Sequence, residues 1–116
     1  MAAGDKIMSR AGILASNFPL TNIQRLISLY YEATPDLNDP LNAVVFGTSG
    51  HRGSPNNGSY TQSHIAAITQ AIADLRKKWN ISGPLFIGMD THALSEPALH
   101  TALEVLCANG VETVVA

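Results

Sequence analysis

Strand-like and helix-like hydrophobic patterns alternate along this chain, and the alternation limits the folds open to it. Apolar residues recur every three or four positions in 61–79 and again in 95–109, which predicts two helices. Short apolar runs at 43–47, 85–89 and 111–116 precede, separate and follow them, and each run predicts a strand. The order is that of a βαβαβ unit with a mostly parallel sheet. The predicted fold class is therefore α/β, with three layers.

Local signals set the ends of the predicted helices. Thr21 and Gln24 fit a capping box, which predicts an earlier helix that ends before Pro35. Ser95 has the side chain of an N-cap for the helix that follows it, and Gly110 suits the left-handed position after that helix. The final strand leaves a sheet edge open, so we expect the chain to be a cut-out from a longer protein.

Composition and charge exclude several classes of protein. With 116 residues, 46% hydrophobic and 14% charged, the chain suits one packed domain. Residues 1–19 show no clean period and are predicted to be an N-terminal arm, with the domain at 20–116. A net charge of -2 gives no general reason to expect binding to nucleic acid or an anionic membrane surface. No apolar run has the length of about 20 residues that a membrane helix needs.

Two side chains with reactive groups are predicted to have structural roles. His64, in the first turn of the 61–79 helix, is expected on the surface. Cys107 follows Leu106 in an apolar run and is expected to be buried as a small hydrophobic residue. A single cysteine cannot form an internal disulfide, so we expect a cytoplasmic protein.

The strand predicted at 43–47 runs into GTSGHRG, residues 47–53, in which three glycines surround polar side chains. Glycines permit close approach of a ligand, consecutive N–H groups can converge on an anion, and the guanidinium of Arg52 matches phosphate. The segment lacks the lysine of the P-loop and the spacing of the dinucleotide fingerprint. Two alternatives stay open: a turn whose arginine pairs with an acid, and a non-catalytic module that binds an anion through 48–59.

A second polar segment follows the strand predicted at 85–89. Asp90 and Thr91 lie where that strand ends, which is the edge at which open α/β sheets bind ligands. The alternative is that both side chains only hydrogen-bond the backbone of their own turn.

Three segments carry a resemblance to a known family: FGTSGHRGS at 46–54, GMDTHALSEPA at 88–98 and LEVLCANGV at 103–111. In order and spacing they resemble the N-terminal part of the first domain of the α-D-phosphohexomutases, in particular the bacterial type that acts on α-D-glucose phosphates. The resemblance covers most of the chain.

The resemblance implies a phosphoglucomutase, which interconverts glucose 1-phosphate and glucose 6-phosphate through a phosphoserine enzyme and glucose 1,6-bisphosphate. It implies that Arg52 is catalytic, close to the phosphoserine and the bisphosphate, and that Ser49, Gly50 and His51 shape the phosphate-binding loop. The implied cofactors are Mg²⁺ and glucose 1,6-bisphosphate. The implied partners are a hexose phosphate substrate and the remaining domains of the full-length chain.

The family's catalytic-serine segment, T-x-S-H-N-P, does not occur in residues 1–116, and neither does its carboxylate-rich magnesium loop. The fragment alone is therefore expected to be inactive and to contain no metal ligands. The family's sugar-recognition loop is also absent from this sequence. Phosphomannomutase and phosphoglucosamine mutase consequently remain alternatives within the family.

Overall fold

The computed structural model describes residues 11–116. In this range the α-helices are α1 (Ile23–Glu32), α2 (Gln62–Lys78) and α3 (Ser95–Ala108), and the strands are β1 (Leu85–Ile87) and β2 (Thr113–Val115). Short 3-10 helices form at Ala15–Asn17, Pro40–Asn42 and Pro55–Asn57. Of the predicted arm, residues 1–10 lie outside the described residues. None of the helices within 11–116 combines the length and the apolar character needed to cross a membrane.

The two strands form a parallel pair connected through α3. Leu85 lies opposite Thr113, and Ile87 lies opposite Val115. Helix α2 packs against α3. The prediction of a parallel sheet with helical crossovers is confirmed for this strand–helix–strand part of the chain.

Residues 43–47 form no strand, so the prediction of a sheet strand there is wrong. The Val45 N–H donates to the ring of His51 at 3.2 Å, and Phe46 forms a single antiparallel bridge with His51. An apolar run becomes a strand only where a neighbouring strand takes up its backbone groups. Here the run instead pairs with its own loop, and Val45 and Phe46 stay 61% and 62% exposed. The described sheet therefore has two strands, and three layers remain a prediction.

The helix starts differ slightly from the predicted ones. Asn22 caps α1, because its side-chain oxygen accepts from the Arg25 N–H at 3.0 Å, so the capping box predicted at Thr21 is wrong. Asparagine caps helices as well as threonine does, and the sequence offers both side by side. Leu94 is the N-cap of α3, so the prediction of Ser95 as N-cap is wrong; Ser95 is the first residue of the helix, and its hydroxyl donates to Asp90.

The apolar residues that recur every three or four positions along α2 do not form its buried face. Its buried residues are His64, Thr69 and Ala73, whereas Ile72 and Leu75 are 42% and 41% exposed. Those two residues belong to an apolar cavity of about 440 Å³ that also includes Val44, Phe46, Ala67, Ile68 and Ala71. Small and polar side chains thus occupy the buried side of α2.

Both assignments of reactive side chains are wrong. His64 is only 3% exposed, because its ring bridges the start of α2 and the backbone of Asn42. Cys107 is exposed, although the preceding Leu106 is buried. Adjacent helix positions differ by about 100° around the axis, so a buried residue does not imply a buried neighbour.

The core joins α1 to the segment that precedes α3. Leu26, Tyr30 and Leu94 form a buried cluster, against which Tyr60 and Ile65 pack. Tyr30 is completely buried, and its hydroxyl donates to Thr101 Oγ1 at 2.8 Å. Helix α1 is thereby fixed to α3 by one polar contact inside an apolar cluster.

Replacing Tyr30 with phenylalanine is expected to lower the free energy of unfolding by about 1 kcal/mol, the usual value of one buried hydrogen bond. Burial raises the pKa of Tyr30 from 10.0 to about 12. The folded state therefore favours the neutral phenol, and its stabilising effect is lost as pH rises from about 10 to about 12. Denaturant unfolding at neutral and alkaline pH checks both points: Tyr30→Phe should be less stable at neutral pH and less sensitive to alkali. Tyr31→Phe, at a 47% exposed neighbour, is the control and should change neither.

Candidate functional site

A cleft of about 510 Å³ opens beyond the carboxyl end of β1. Two segments line it: the loop before α2, and the loop that runs from β1 into α3. The lining residues are His51, Arg52, Gly53, Tyr60, Asp90, His92, Leu94 and Ser95. Open α/β sheets bind their ligands at this edge. The structure thus brings together the two polar segments that the sequence indicated separately.

The glycine-containing segment forms a tight hairpin. The Gly47 N–H donates to the Gly50 carbonyl at 3.0 Å, just inside the bridge between Phe46 and His51. Gly50 has a φ of 122°, a backbone conformation that residues with a Cβ atom rarely adopt. Ser49 lies exposed at the tip and is not among the residues that line the cleft. Ser49 and Gly50 are therefore placed to shape the hairpin, while its far end faces the cleft.

His51 uses both ring nitrogens to hold the loop. Nε2 lies 2.8 Å from the Ser59 carbonyl, which can only accept, so Nε2 carries a proton. Nδ1 lies 3.2 Å from the Val45 nitrogen, from whose N–H it can accept, and 3.3 Å from the Val45 carbonyl oxygen. This arrangement commits the ring to the backbone on both sides of the loop.

Arg52 reaches the cleft without a protein partner. Its side chain is exposed, and within residues 11–116 it makes no hydrogen bond or ion pair. Asp90, the acid among the residues that line the cleft, accepts instead from the Ser95 hydroxyl and from the His92 N–H at 2.9 Å. The alternative in which Arg52 is held by a structural acid is not what the structure shows. An unpaired guanidinium at this edge is free to bind an anion.

Asp90 is ionised and organises the second wall of the cleft. The hydrogen bond from Ser95 lowers the pKa of Asp90, and the His92 backbone bond adds to the effect. The turn-stabilising role considered for Asp90 is thus observed, together with a place in the cleft. Burial, with a contribution from the Asp90 charge, raises the pKa of Tyr60. Tyr60 therefore remains a neutral hydroxyl donor at the cleft edge.

The described residues contain no cluster of metal-ligating side chains. Between residues 11 and 116, no three or more His, Cys, Asp or Glu side chains are grouped so that they could hold a metal ion. The Mg²⁺ implied by the resemblance therefore has no ligand set in the part of the chain that the structure describes.

Sequence reasoning missed four residues of the cleft, which are Tyr60, His92, Leu94 and Ser95. A usable signal existed for Tyr60 and Ser95, because each lies at the N-terminal end of a predicted helix. In an α/β unit those ends meet at the edge where the strands end. The packing of Tyr60 over His51, with ring centroids 6.0 Å apart, depends on a tertiary contact that no local pattern encodes.

Comparison with known proteins identifies the family of this chain. A family model described as phosphoglucomutase/phosphomannomutase, alpha/beta/alpha domain I, matches residues 43–116. The chain belongs to this family. The match includes every residue that lines the cleft, from His51 to Ser95.

A curated relative supports the same assignment. A protein named phosphoglucomutase from Komagataeibacter xylinus is 58% identical over 93 residues, which cover 80% of this chain. The aligned part is 17% of that relative, so the chain spans only a small fraction of its length. The predicted membership of the phosphohexomutases, as an N-terminal part of domain I, is confirmed.

Proposed function

We propose that this chain is the opening part of a phosphoglucomutase that interconverts glucose 1-phosphate and glucose 6-phosphate. The observation that carries the proposal is Arg52, an unpaired guanidinium in the cleft at the carboxyl end of β1. The name of the 58% identical relative supports the choice of sugar phosphate.

The proposed reaction has two phosphoryl transfers. In the first, the bond between phosphorus and a serine oxygen breaks, a bond from phosphorus to the C6 oxygen of glucose 1-phosphate forms, and the proton of the C6 hydroxyl is exchanged for one on the serine oxygen. In the second, the serine oxygen bonds to the 1-phosphoryl group of glucose 1,6-bisphosphate, the bond between phosphorus and the C1 oxygen breaks, and the serine proton is exchanged for one on that oxygen, which frees glucose 6-phosphate. The residues described here contribute charge and position, which are the main requirements of phosphoryl transfer.

In this proposal Arg52 supplies the positive charge that the transferring phosphoryl group needs. Its planar guanidinium donates two parallel hydrogen bonds to phosphate oxygens and stabilises the negative charge on the transferring group. The hairpin formed by Ser49, Gly50 and His51 places Arg52, and glucose 1,6-bisphosphate acts as the activating intermediate. Mg²⁺, when bound through residues outside 11–116, supplies further positive charge. A cytoplasmic location suits this metabolic role and the exposed thiol of Cys107.

The experiment is a coupled assay of the whole protein that contains this segment. Glucose 6-phosphate formed from glucose 1-phosphate is oxidised by glucose-6-phosphate dehydrogenase, and NADPH is followed, with Mg²⁺ and catalytic glucose 1,6-bisphosphate present. We expect kcat/KM for glucose 1-phosphate to exceed that for mannose 1-phosphate at least about tenfold. Failure to convert any hexose phosphate would contradict the proposal.

Phosphomannomutase activity is the second candidate, because the description of the matching family names both activities. A preference for mannose 1-phosphate in the same comparison, read through phosphomannose isomerase and phosphoglucose isomerase as added coupling enzymes, would select it. Glucosamine 1-phosphate is the third substrate in the comparison and tests for phosphoglucosamine mutase activity.

A further inference from the structure

Two imidazole rings are stacked at the base of the loop that carries Arg52. The centroids of His51 and His64 lie 5.4 Å apart, with 12° between the ring planes. Tyr60 packs on His51 in the same sense, at 6.0 Å and 4°. His64 is 3% exposed, so its ring is closed off from solvent by this stack and by the start of α2.

The hydrogen bonds of His64 fix its protonation. Nε2 lies 2.7 Å from the Asn42 carbonyl, an acceptor, and therefore carries a proton. Nδ1 lies 3.1 Å from the Thr61 nitrogen and 2.9 Å from the Thr61 hydroxyl. Both groups of Thr61 can donate, so Nδ1 accepts and the ring is neutral. One side chain thus bridges the first and last residues of the 42–61 loop.

His51 forms a second bridge inside the first. It connects Val45 to Ser59 in the same way that His64 connects Asn42 to Thr61. Asn42, whose carbonyl binds His64, is itself held in place, because its side-chain amide donates to Asp39 at 3.1 Å. Two stacked bridges across one loop resist both its opening and its twisting. Arg52 directly follows the inner bridge.

We propose that His64 is a positioning residue for Arg52: together with His51 it holds the loop so that the guanidinium stays in the cleft. The inference rests on the proposed function, in which Arg52 binds the transferring phosphoryl group. His64 itself does not line the cleft and acts only through the loop. A neutral imidazole is suited to the task because it offers one donor and one acceptor on opposite sides of a rigid ring.

The test is a double-mutant cycle in the whole mutase. His64→Ala should lower kcat for glucose 1-phosphate about tenfold and change KM less than about threefold, because a displaced Arg52 weakens the transition state. In an Arg52→Ala background, the same change should cost less than about threefold, since its effect passes through Arg52. His64→Gln keeps one acceptor and one donor and should recover at least about half of kcat.

Hydrogen exchange provides a readout that does not depend on activity. His64→Ala should raise the exchange rate of the hydrogen-bonded loop amides of Val45 and Gly47 at least about tenfold and leave amides of α3 unchanged. If His64→Ala does not fold, His51→Ala at the partly exposed inner bridge undergoes the same cycle with the same expectations.

The outcomes separate the two proposals. Absence of mutase activity in the unmutated protein would overturn the proposed function alone. The exchange result would still test the positioning role. Fully multiplicative effects of His64→Ala and Arg52→Ala, or unchanged exchange of the Val45 and Gly47 amides, would overturn the positioning role alone.

Discussion

Removing the guanidinium of Arg52 is expected to lower kcat for glucose 1-phosphate about 100-fold, which corresponds to about 2.7 kcal/mol of transition-state stabilisation. Arg52→Ala removes the unpaired cation from the cleft and breaks no hydrogen bond or ion pair, because Arg52 has none within 11–116. Its thermal stability should therefore match that of the unmutated protein. Steady-state kinetics of the whole mutase provides the measurement.

Two matched variants make the result specific to Arg52. Arg52→Lys keeps the charge and loses the planar fork, so we expect an intermediate kcat, about tenfold below normal. Arg25→Ala removes an exposed arginine from the first turn of α1, outside the cleft, and should leave kcat unchanged. Unchanged turnover in Arg52→Ala would exclude Arg52 from the mechanism.

The sequence predicts best those elements that local patterning determines. The helix predicted at 61–79 is observed at Gln62–Lys78, and the strands at 85–89 and 111–116 are observed within those ranges. The place of Asp90 at a strand end follows from the same patterning. Because the carboxyl edge of the sheet is a common meeting point, the cleft itself could be anticipated.

The errors at 43–47 and at His64 share a physical cause, which is that contacts beyond the local pattern decide between local alternatives. A run such as 43–47 has the composition of a strand, but its backbone groups pair with His51. His64 looks like a polar residue of an exposed first turn until its ring meets the Asn42 carbonyl, 22 residues earlier in the chain. Hydropathy assigns a histidine to the surface, whereas paired hydrogen bonds allow it to be buried.

The freedom of Arg52 could not be predicted either. An arginine close in space to an acid usually pairs with it, and Asp90 lies in the same cleft. The Asp90 carboxylate instead accepts from the Ser95 hydroxyl and the His92 N–H, because of the geometry of the turn into α3. The unpaired state of Arg52 therefore depends on the fold around Asp90 and cannot be inferred from the 47–53 segment alone.

Gly53→Ala is expected to displace the loop that carries Arg52 and to lower kcat about 100-fold, the effect of a misplacement of about 1 Å. A Cβ atom at Gly53 would overlap the Ser59 carbonyl, with its carbon at 2.6 Å and the Ser59 Oγ at 2.7 Å. These are mostly backbone atoms, and the same Ser59 carbonyl accepts from His51. Relief of the overlap therefore has to break the inner bridge or shift Arg52, at a cost of about 3 kcal/mol in stability.

Gly47→Ala is the matched control in the same hairpin. An added Cβ atom there would meet only the Gly50 carbonyl oxygen at 3.9 Å, an ordinary van der Waals contact. Kinetics and denaturant unfolding of the two alanine variants give the comparison: Gly47→Ala should stay within about threefold of normal kcat, and Gly53→Ala should lose both activity and stability. Equal behaviour of the two would mean that the loop tolerates a shift at Gly53, and that close approach to Ser59 does not set the position of Arg52.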